Sequence, residues 1–220
     1  MAESLIEADV LTRVLSGAVS SGADFAEVYA EDRRVTGLGL DDGKVEQVSS
    51  GRDRGAGIRV VNGETTGFAY TADLSEAGLL AAARAAASAA AGGSGGVRNV
   101  GLVQAPARRV SPIDVYPDTI AKATKVEMLL RANDAARAAG SSIVQVSAGM
   151  GDSRKRILVA NTDGLLASDE QVRINFRVSA VASGDTGMQT GVQSIGGTIG
   201  FELFDQHEVA NLARRAAEQA

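Results

Sequence analysis

His207, the only histidine, is followed by Glu208 at the start of a helix-forming stretch, and a His-Glu pair on a helix is part of a zinc-peptidase pattern. The pattern needs a second histidine one turn on, where this chain has Asn211 and Leu212. With one histidine and no cysteine in 220 residues, a zinc site here would have to be mostly carboxylate. His207 is therefore expected in a first helical turn with Glu208 as capping partner. Gly92-Gly93-Ser94-Gly95-Gly96 spells the Gly-x-Ser-x-Gly of a hydrolase serine. That serine sits on a strained strand-to-helix turn, whereas Ser94 follows a helix and lies in a flexible glycine run. Gly55-Ala56-Gly57 lacks the third glycine of a dinucleotide loop, because position 60 is Val60. Gly43-Lys44 is followed by Val45, where a phosphate loop needs Ser or Thr. The pairs Asp41-Asp42 and Asp169-Glu170 could divide acid and base roles. The first falls in a predicted turn and the second at an exposed strand start, so both are expected to be solvated carboxylates.

Composition narrows the field further. Hydrophobic residues make up 45%, charged residues 22%, and the mean hydropathy is +0.02, which describes a globular chain rather than a disordered or collagen-like one. No apolar run reaches the roughly 18 residues of a membrane span, and Met1-Ala2-Glu3-Ser4 is acidic where an export signal would be basic, so a cytoplasmic protein without membrane contact is expected. The absence of cysteine agrees with a reducing compartment. A net charge of −5 and a pI near 5.0 argue against nucleic acid as a partner, and the pairs Arg33-Arg34, Arg108-Arg109 and Arg214-Arg215 are scattered rather than aligned. Aromatic residues are only 4% while glycine numbers 26. The core must then be built from Ala, Val, Leu and Ile, and close backbone approaches should matter more than large side chains.

These residues are to be positioned by a repeated unit. Helical spacing of Ile6, Val10, Leu11, Val14, Leu15 and Ala18 follows a capping-box pattern at Ser4 to Glu7, and Gly22 stops the helix. Residues 24–32 alternate. Hairpins are predicted around Asp42-Gly43 and Asn62-Gly63, and Asp73 to Glu76 is expected to cap an alanine-rich helix. The second half repeats this order, with a helix capped at Thr124 to Glu127 and ending at Gly140, alternation from Ser142 to Ala148, and a hairpin at Asp163-Gly164. Gly200-Phe201 matches Gly67-Phe68, and Asp205-x-x-Glu208 matches Asp73-x-x-Glu76. The prediction is an α+β fold of two pseudo-repeats, each helix, antiparallel strands, helix, sharing a core. Residues 1–98 and 123–220 form the repeats, joined by a Gly/Pro-rich linker at 99–122. The stretch from Ser183 to Gly200, with six glycines, is expected either as a mobile flap or as an ordinary extended hairpin.

The run Gly55-Ala56-Gly57-Ile58-Arg59-Val60-Val61-Asn62-Gly63-Glu64-Thr65-Thr66-Gly67-Phe68-Ala69-Tyr70 resembles the signature stretch of the TldD/PmbA metallopeptidases, described as modulators of DNA gyrase, and is more similar to the TldD branch. Residues 157–164 (ILVANTDG) and 200–204 (GFELF) fall in the same family order, so the resemblance covers essentially the whole chain.

That resemblance implies a zinc peptidase of small or unfolded peptides, working with a non-catalytic PmbA/TldE-like partner subunit. It also implies that zinc is held by two histidines of a His-Glu-x-x-x-His helix and a cysteine in a C-terminal half. None of those positions exists here, so no catalytic residue, metal ligand or cofactor is expected in this chain. Residues 214–220 are helix-forming without a stop signal, which reads as a truncation. The expected role is to frame an extended peptide along sheet edges, which pair with any sequence, and to contact the partner and the C-terminal half of the same protein. Substrate-framing residues are expected at Arg59, Gly67, Phe68, Gly187, Gly191, Gly196 and Gly197. The alternatives are a stand-alone peptide- or protein-binding module without activity and, more remotely, a hydrolase using Ser94.

Overall fold

The computed structural model describes residues 4–91, 100–106, 112–185 and 187–220. Ser94 and Arg108-Arg109 lie outside the described residues. In chain order the elements are α1 (Ala8–Ala18), β1 (Phe25–Asp41), β2 (Lys44–Asn62), β3 (Thr65–Thr71), α2 (Glu76–Ala89), β4 (Val103–Gln104), a single 3-10 turn (Pro117–Thr119), α3 (Lys122–Arg137), β5 (Ile143–Asn161), β6 (Leu165–Gly184), β7 (Gly187–Gly197), α4 (Leu203–Gln206) and α5 (Val209–Gln219). The strands pair in the order β3-β2-β1-β5-β6-β4, with β7 also on β6. All the pairings given by register are antiparallel except the short β4–β6 contact, which is parallel. The fold is thus α+β with the predicted order of helix, antiparallel strands and helix in each half.

Two compact units divide the chain, and each draws on both halves of the sequence. Unit 1 comprises Met1–Arg33, Asp53–Arg109 and Lys155–Glu170; unit 2 comprises Arg34–Arg52, Val110–Arg154 and Gln171–Ala220. Long alternating strands make this possible, because β1, β2, β5 and β6 each contribute to both. In unit 1, α1 and α2 cover Ala26, Val28, Ile58 and Val60, together with Leu158, Ala160 and Leu166 from the second half. In unit 2, α3 and α5 cover Val146, Met150, Phe176 and Val178, together with Leu38 and Leu40 from the first half. Sharing between the halves therefore takes the form of two clusters, each receiving strand residues from the other half. The alanine-rich helices suit this, since small side chains let a helix lie close on a sheet.

The hairpin at Asp42-Gly43 has φ of 50° and 77°, as a two-residue type I′ turn requires. The next hairpin differs by one residue from expectation. Asn62 pairs with Thr65, so the loop is Gly63-Glu64 and not Asn62-Gly63. Asn62 is buried as the last residue of β2, while Gly63 takes φ 59° and its N–H donates to the Asp24 carboxylate at 2.7 Å.

The helix starts also depart from the capping boxes. Ser4 Oγ donates to the Ile6 carbonyl, and α1 begins after Glu7 without a side-chain cap. α3 begins at Lys122, so Thr124 and Glu127 lie inside it rather than at its start. Lys125, within the same stretch, is buried. For α2 the cap is Ser75, whose Oγ accepts from Gly78 N at 3.3 Å, while Asp73 accepts from Ser75 N. For α5 it is Glu208, which accepts from Ala210 N and Asn211 N; Asp205 belongs to α4. Ser75→Ala is accordingly expected to lower stability by about 1 kcal/mol. Glu208→Ala should move the urea midpoint in the same direction, whereas Asp205→Ala should leave it nearly unchanged.

The repeat is real but pairs different glycines from those expected. A Cβ on Gly67 of β3 would collide with the Ala86 carbonyl oxygen and lie 2.7 Å from Ala90 N of α2's end. A Cβ on Gly191 of β7 would collide with the Ala216 carbonyl oxygen and lie 2.9 Å from Ala220 N at the end of α5. Gly67 therefore corresponds to Gly191, not to Gly200. Gly200 precedes α4, where its N–H donates to Glu202 at 2.9 Å. The Glu202 carboxylate also accepts from Val115 N and Asp114 N. Desolvation would raise its pKa, but these backbone donors outweigh it and hold the group below its ordinary value.

Candidate functional site

Each unit presents a sheet face opposite its helices. In unit 1, β2 and β3 set Arg59 directly across from Phe68, and Gly57 across from Tyr70. Gly57 has no side chain, and the two rings occupy that space; their centroids are 5.3 Å apart. Phe68 is 51% and Tyr70 80% exposed, so the helix-free face carries an aromatic patch. Arg59 Nη2 lies 3.4 Å from Glu27 Oε1, its guanidinium sits 5.6 Å from the Phe25 ring, and its Nε is buried without a hydrogen-bond partner. The structure thus brings Arg59 and Phe68 together. Gly67, the residue before Phe68, faces the other way onto α2.

Also in unit 1, Tyr29 donates to Glu31 at 2.5 Å and Lys155 Nζ lies 2.7 Å from the same carboxylate. Burial, then Glu31, raises the Tyr29 pKa. Desolvation works to raise that of Glu31, but Lys155 and Tyr29 prevail and lower it. Lys155 is raised by its hydrogen bonds to Glu31 and Tyr29. These shifts strengthen the charged carboxylate and ammonium, and so describe an ion pair rather than a proton donor poised for transfer.

In unit 2 a trough of about 360 Å3 crosses the strands, lined by Gly37, Gly149, Gly151, Ser147, Asn175 and Arg177, among others. Alternation explains its floor: Ala148 and Met150 turn inward to the core, leaving Ser147, Gly149 and Gly151 outward on β5. Asp41 accepts from Ser147 Oγ and from Gln145 Nε2, and the Ser147 bond first, then that of Gln145, lowers its pKa. A serine donating to a carboxylate without a histidine is a structural hydrogen bond, not an activated nucleophile. Asp42 pairs with Arg137, and Asp169 lies in β6, so neither acid pair forms an acid-base couple.

The glycines expected to frame substrate in this unit are spread along β7. Gly187 opens the strand at φ 95°. Gly191 lies against α5, and Gly196 and Gly197 pair with Asn175 and Ile174. Of these, Gly196 touches a trough-lining residue, Asn175. The segment expected as a flap or a hairpin is a hairpin, paired with β6 from Ile174↔Gly197 to Gly184↔Gly187. The trough itself was missed by sequence reading, since it depends on pairing residues a hundred positions apart.

A metal does not fit what is present. Among the described residues no group of three His, Cys, Asp or Glu is placed to hold an ion, and His207 ends the short α4. Nor is any described helix long and apolar enough to cross a membrane.

Comparison with known proteins decides the lineage. Residues 26–90 match the model for PmbA/TldA metallopeptidase domain 1, and residues 115–220 match that for the PmbA/TldA metallopeptidase central domain. The chain belongs to the PmbA/TldD metallopeptidase family. Over 219 residues it is 29% identical to a metalloprotease of Methanothermobacter thermautotrophicus, covering 98% of this chain and 46% of that protein. A TldD homologue of Haemophilus influenzae is 29% identical over 183 residues, 82% of this chain and 38% of that protein. The chain thus spans less than half the length of these family members. Two solved structures share the fold. One, from Thermotoga maritima and described as a modulator of a DNA gyrase, has a TM-score of 0.75 at 18% identity, covering 96% of this chain and 47% of that one. The other is TldE from Thermococcus kodakarensis, with a TM-score of 0.73 at 17% identity, covering 95% and 46%.

Proposed function

We propose that this chain is the N-terminal part of a TldD-type zinc metallopeptidase of the cytoplasm that cleaves small or unfolded peptides. Its repeats, residues 1–98 and 123–220 joined through 99–122, frame the substrate and meet a TldE-type partner subunit. The observation that carries this reading is the edge of β2. Residues 44–54 are exposed without interruption, and β3 reaches only Ala56, so among the described residues this stretch has β1 as its one strand neighbour. Unpaired backbone N–H and C=O groups along such an edge accept an extended peptide of any sequence. Exposed Val45 and Val48 add apolar contact. Arg59 and Phe68, opposite one another on neighbouring strands, and the glycines of β7 are the further framing residues in this proposal. Zinc, its activated water and the general-base glutamate would belong to a C-terminal part, for which the greater length of the relatives leaves room.

The test is reconstitution. This chain alone is expected to leave an unfolded peptide intact. Joined to the C-terminal part of a TldD homologue and mixed with a TldE-type subunit, it is expected to support cleavage that a chelator abolishes. Val48→Asp in the reconstituted enzyme should raise KM more than it lowers kcat. Cleavage by the isolated chain would overturn the proposal, as would a reconstituted enzyme indifferent to the edge substitution.

A further inference from the structure

We propose that the trough of unit 2 captures the carboxylate end of a short peptide, with Arg177 as the cation that receives it. Of the residues lining the trough, all within unit 2, Arg177 alone carries a charge. Its side chain is exposed, and among the described residues it has neither an ion pair nor a hydrogen bond. The flanking strands explain why. Across from it on β7 stands Ser194, and β7 holds no charged residue at all. On its other side runs β5, whose one acid, Asp152, turns inward and is taken by Lys125 at 2.6 Å. The acids of β6 itself, Asp169 and Glu170, fall in unit 1. Asp41, beside the wall at Ser147, already accepts from the Ser147 hydroxyl and the Gln145 amide. In a chain with 27 acidic residues against 22 basic ones, this cation is left for a ligand to neutralise.

The otherwise neutral lining selects the ligand. One guanidinium matches one carboxylate both in charge and in its two-oxygen fork, whereas a phosphate dianion would keep half its charge uncompensated. Asn175 and Ser179, flanking Arg177 on the same face of β6, and Gln47 from β2 offer donors and acceptors together, as the peptide unit next to a terminal carboxylate requires. Gly37 and Gly149 leave the floor without side chains, so the backbone of a ligand can lie close on β1 and β5. A volume of about 360 Å3, at the small end of ligand sites, takes a terminal residue and its neighbour. The trough is separate from the β2 edge, and direct binding reads it without cleavage, so framing at that edge and capture here can fail independently.

The test uses the full 220-residue chain at neutral pH and constant ionic strength. N-acetyl-trialanine as the free acid, the same peptide as its C-terminal amide, and inorganic phosphate are titrated in turn, followed by amide shifts in the 15N spectrum. The free acid is expected to shift residues 147–151 and 175–179, and the amide to bind about tenfold more weakly. Arg177→Gln should weaken the free acid about tenfold and bring it level with the amide. Gly149→Val fills the floor instead. Its Cβ meets only the Leu38 carbonyl oxygen, at 3.5 Å, so the strand can hold it, and it should weaken acid and amide alike. Arg173→Gln, on the same face of β6 but outside the lining, should leave the affinity unchanged. Equal binding of acid and amide, phosphate binding as tightly as the acid, or unchanged affinity in Arg177→Gln would overturn the proposal. So would an equal loss in Arg173→Gln, which would mean attraction to surface charge in general and not to this trough.

Discussion

Gly67→Ala and Gly191→Ala are each expected to destabilise the chain by about 3 kcal/mol, at the upper end of what inserting one methyl into a filled space costs. The obstacle is backbone. At both positions the added carbon meets a helix carbonyl oxygen and the amide nitrogen four residues beyond it, Ala90 N at 2.7 Å and Ala220 N at 2.9 Å. Neither can rotate away as a side chain would, so β3 must lift from α2, or β7 from α5. Lifting either strand opens space beneath Ala86 or beneath Ala216, both fully buried, and loses dispersion contact there as well. Gly184→Ala is the control. Its Cβ meets nothing within 4 Å, and its midpoint is expected within about 0.5 kcal/mol of the parent. Urea midpoints with unchanged m-values measure all three, and a silent Gly67→Ala would mean that β3 does not approach α2 this closely.

The same two glycines mark where linear reading succeeded and where it stopped. The order of elements was legible because hairpin signals and periodicity are local: Asp42-Gly43 takes positive φ at both positions, as its residue types ask. The existence of a repeat was legible for the same reason. Its register was not, because the property that relates Gly67 to Gly191 is closeness to a helix that lies distant in sequence, whereas Gly-Phe at 67 and 200 is only a shared dipeptide. Capping erred for a related reason. Asp73, Ser75 and Glu76 are all competent near a helix start, and only the phase of α2 on the sheet selects Ser75. At the candidate site the β2–β3 hairpin was legible but its register was not: a loop at Asn62-Gly63 would set Arg59 opposite Thr66, and only the loop at Gly63-Glu64 sets it opposite Phe68. The trough at Gly37 and Gly149 requires β1 to lie beside β5, a tertiary pairing to which composition and spacing are blind.

Lys125 shows how far tertiary context can override a local pattern, and its substitution should have the other large effect. Read along the chain it is a polar residue of a capping box. In the fold its side chain is 1% exposed and its Nζ lies 2.6 Å from Asp152 Oδ2, itself 4% exposed. Burying both charges is costly, and their attraction with the hydrogen bond offsets that cost only while both are present. Lys125→Met should therefore lower stability by about 3 to 5 kcal/mol, chiefly by leaving the Asp152 carboxylate buried without its cation. Asp152→Leu should do the same to the ammonium. The double variant, Lys125→Met with Asp152→Leu, replaces the pair by apolar groups of similar size and should recover most of the loss, giving strongly non-additive midpoints in a double-mutant cycle. Additive losses would show that the two groups do not depend on each other. Single losses below about 1 kcal/mol would place the pair in solvent and not inside unit 2.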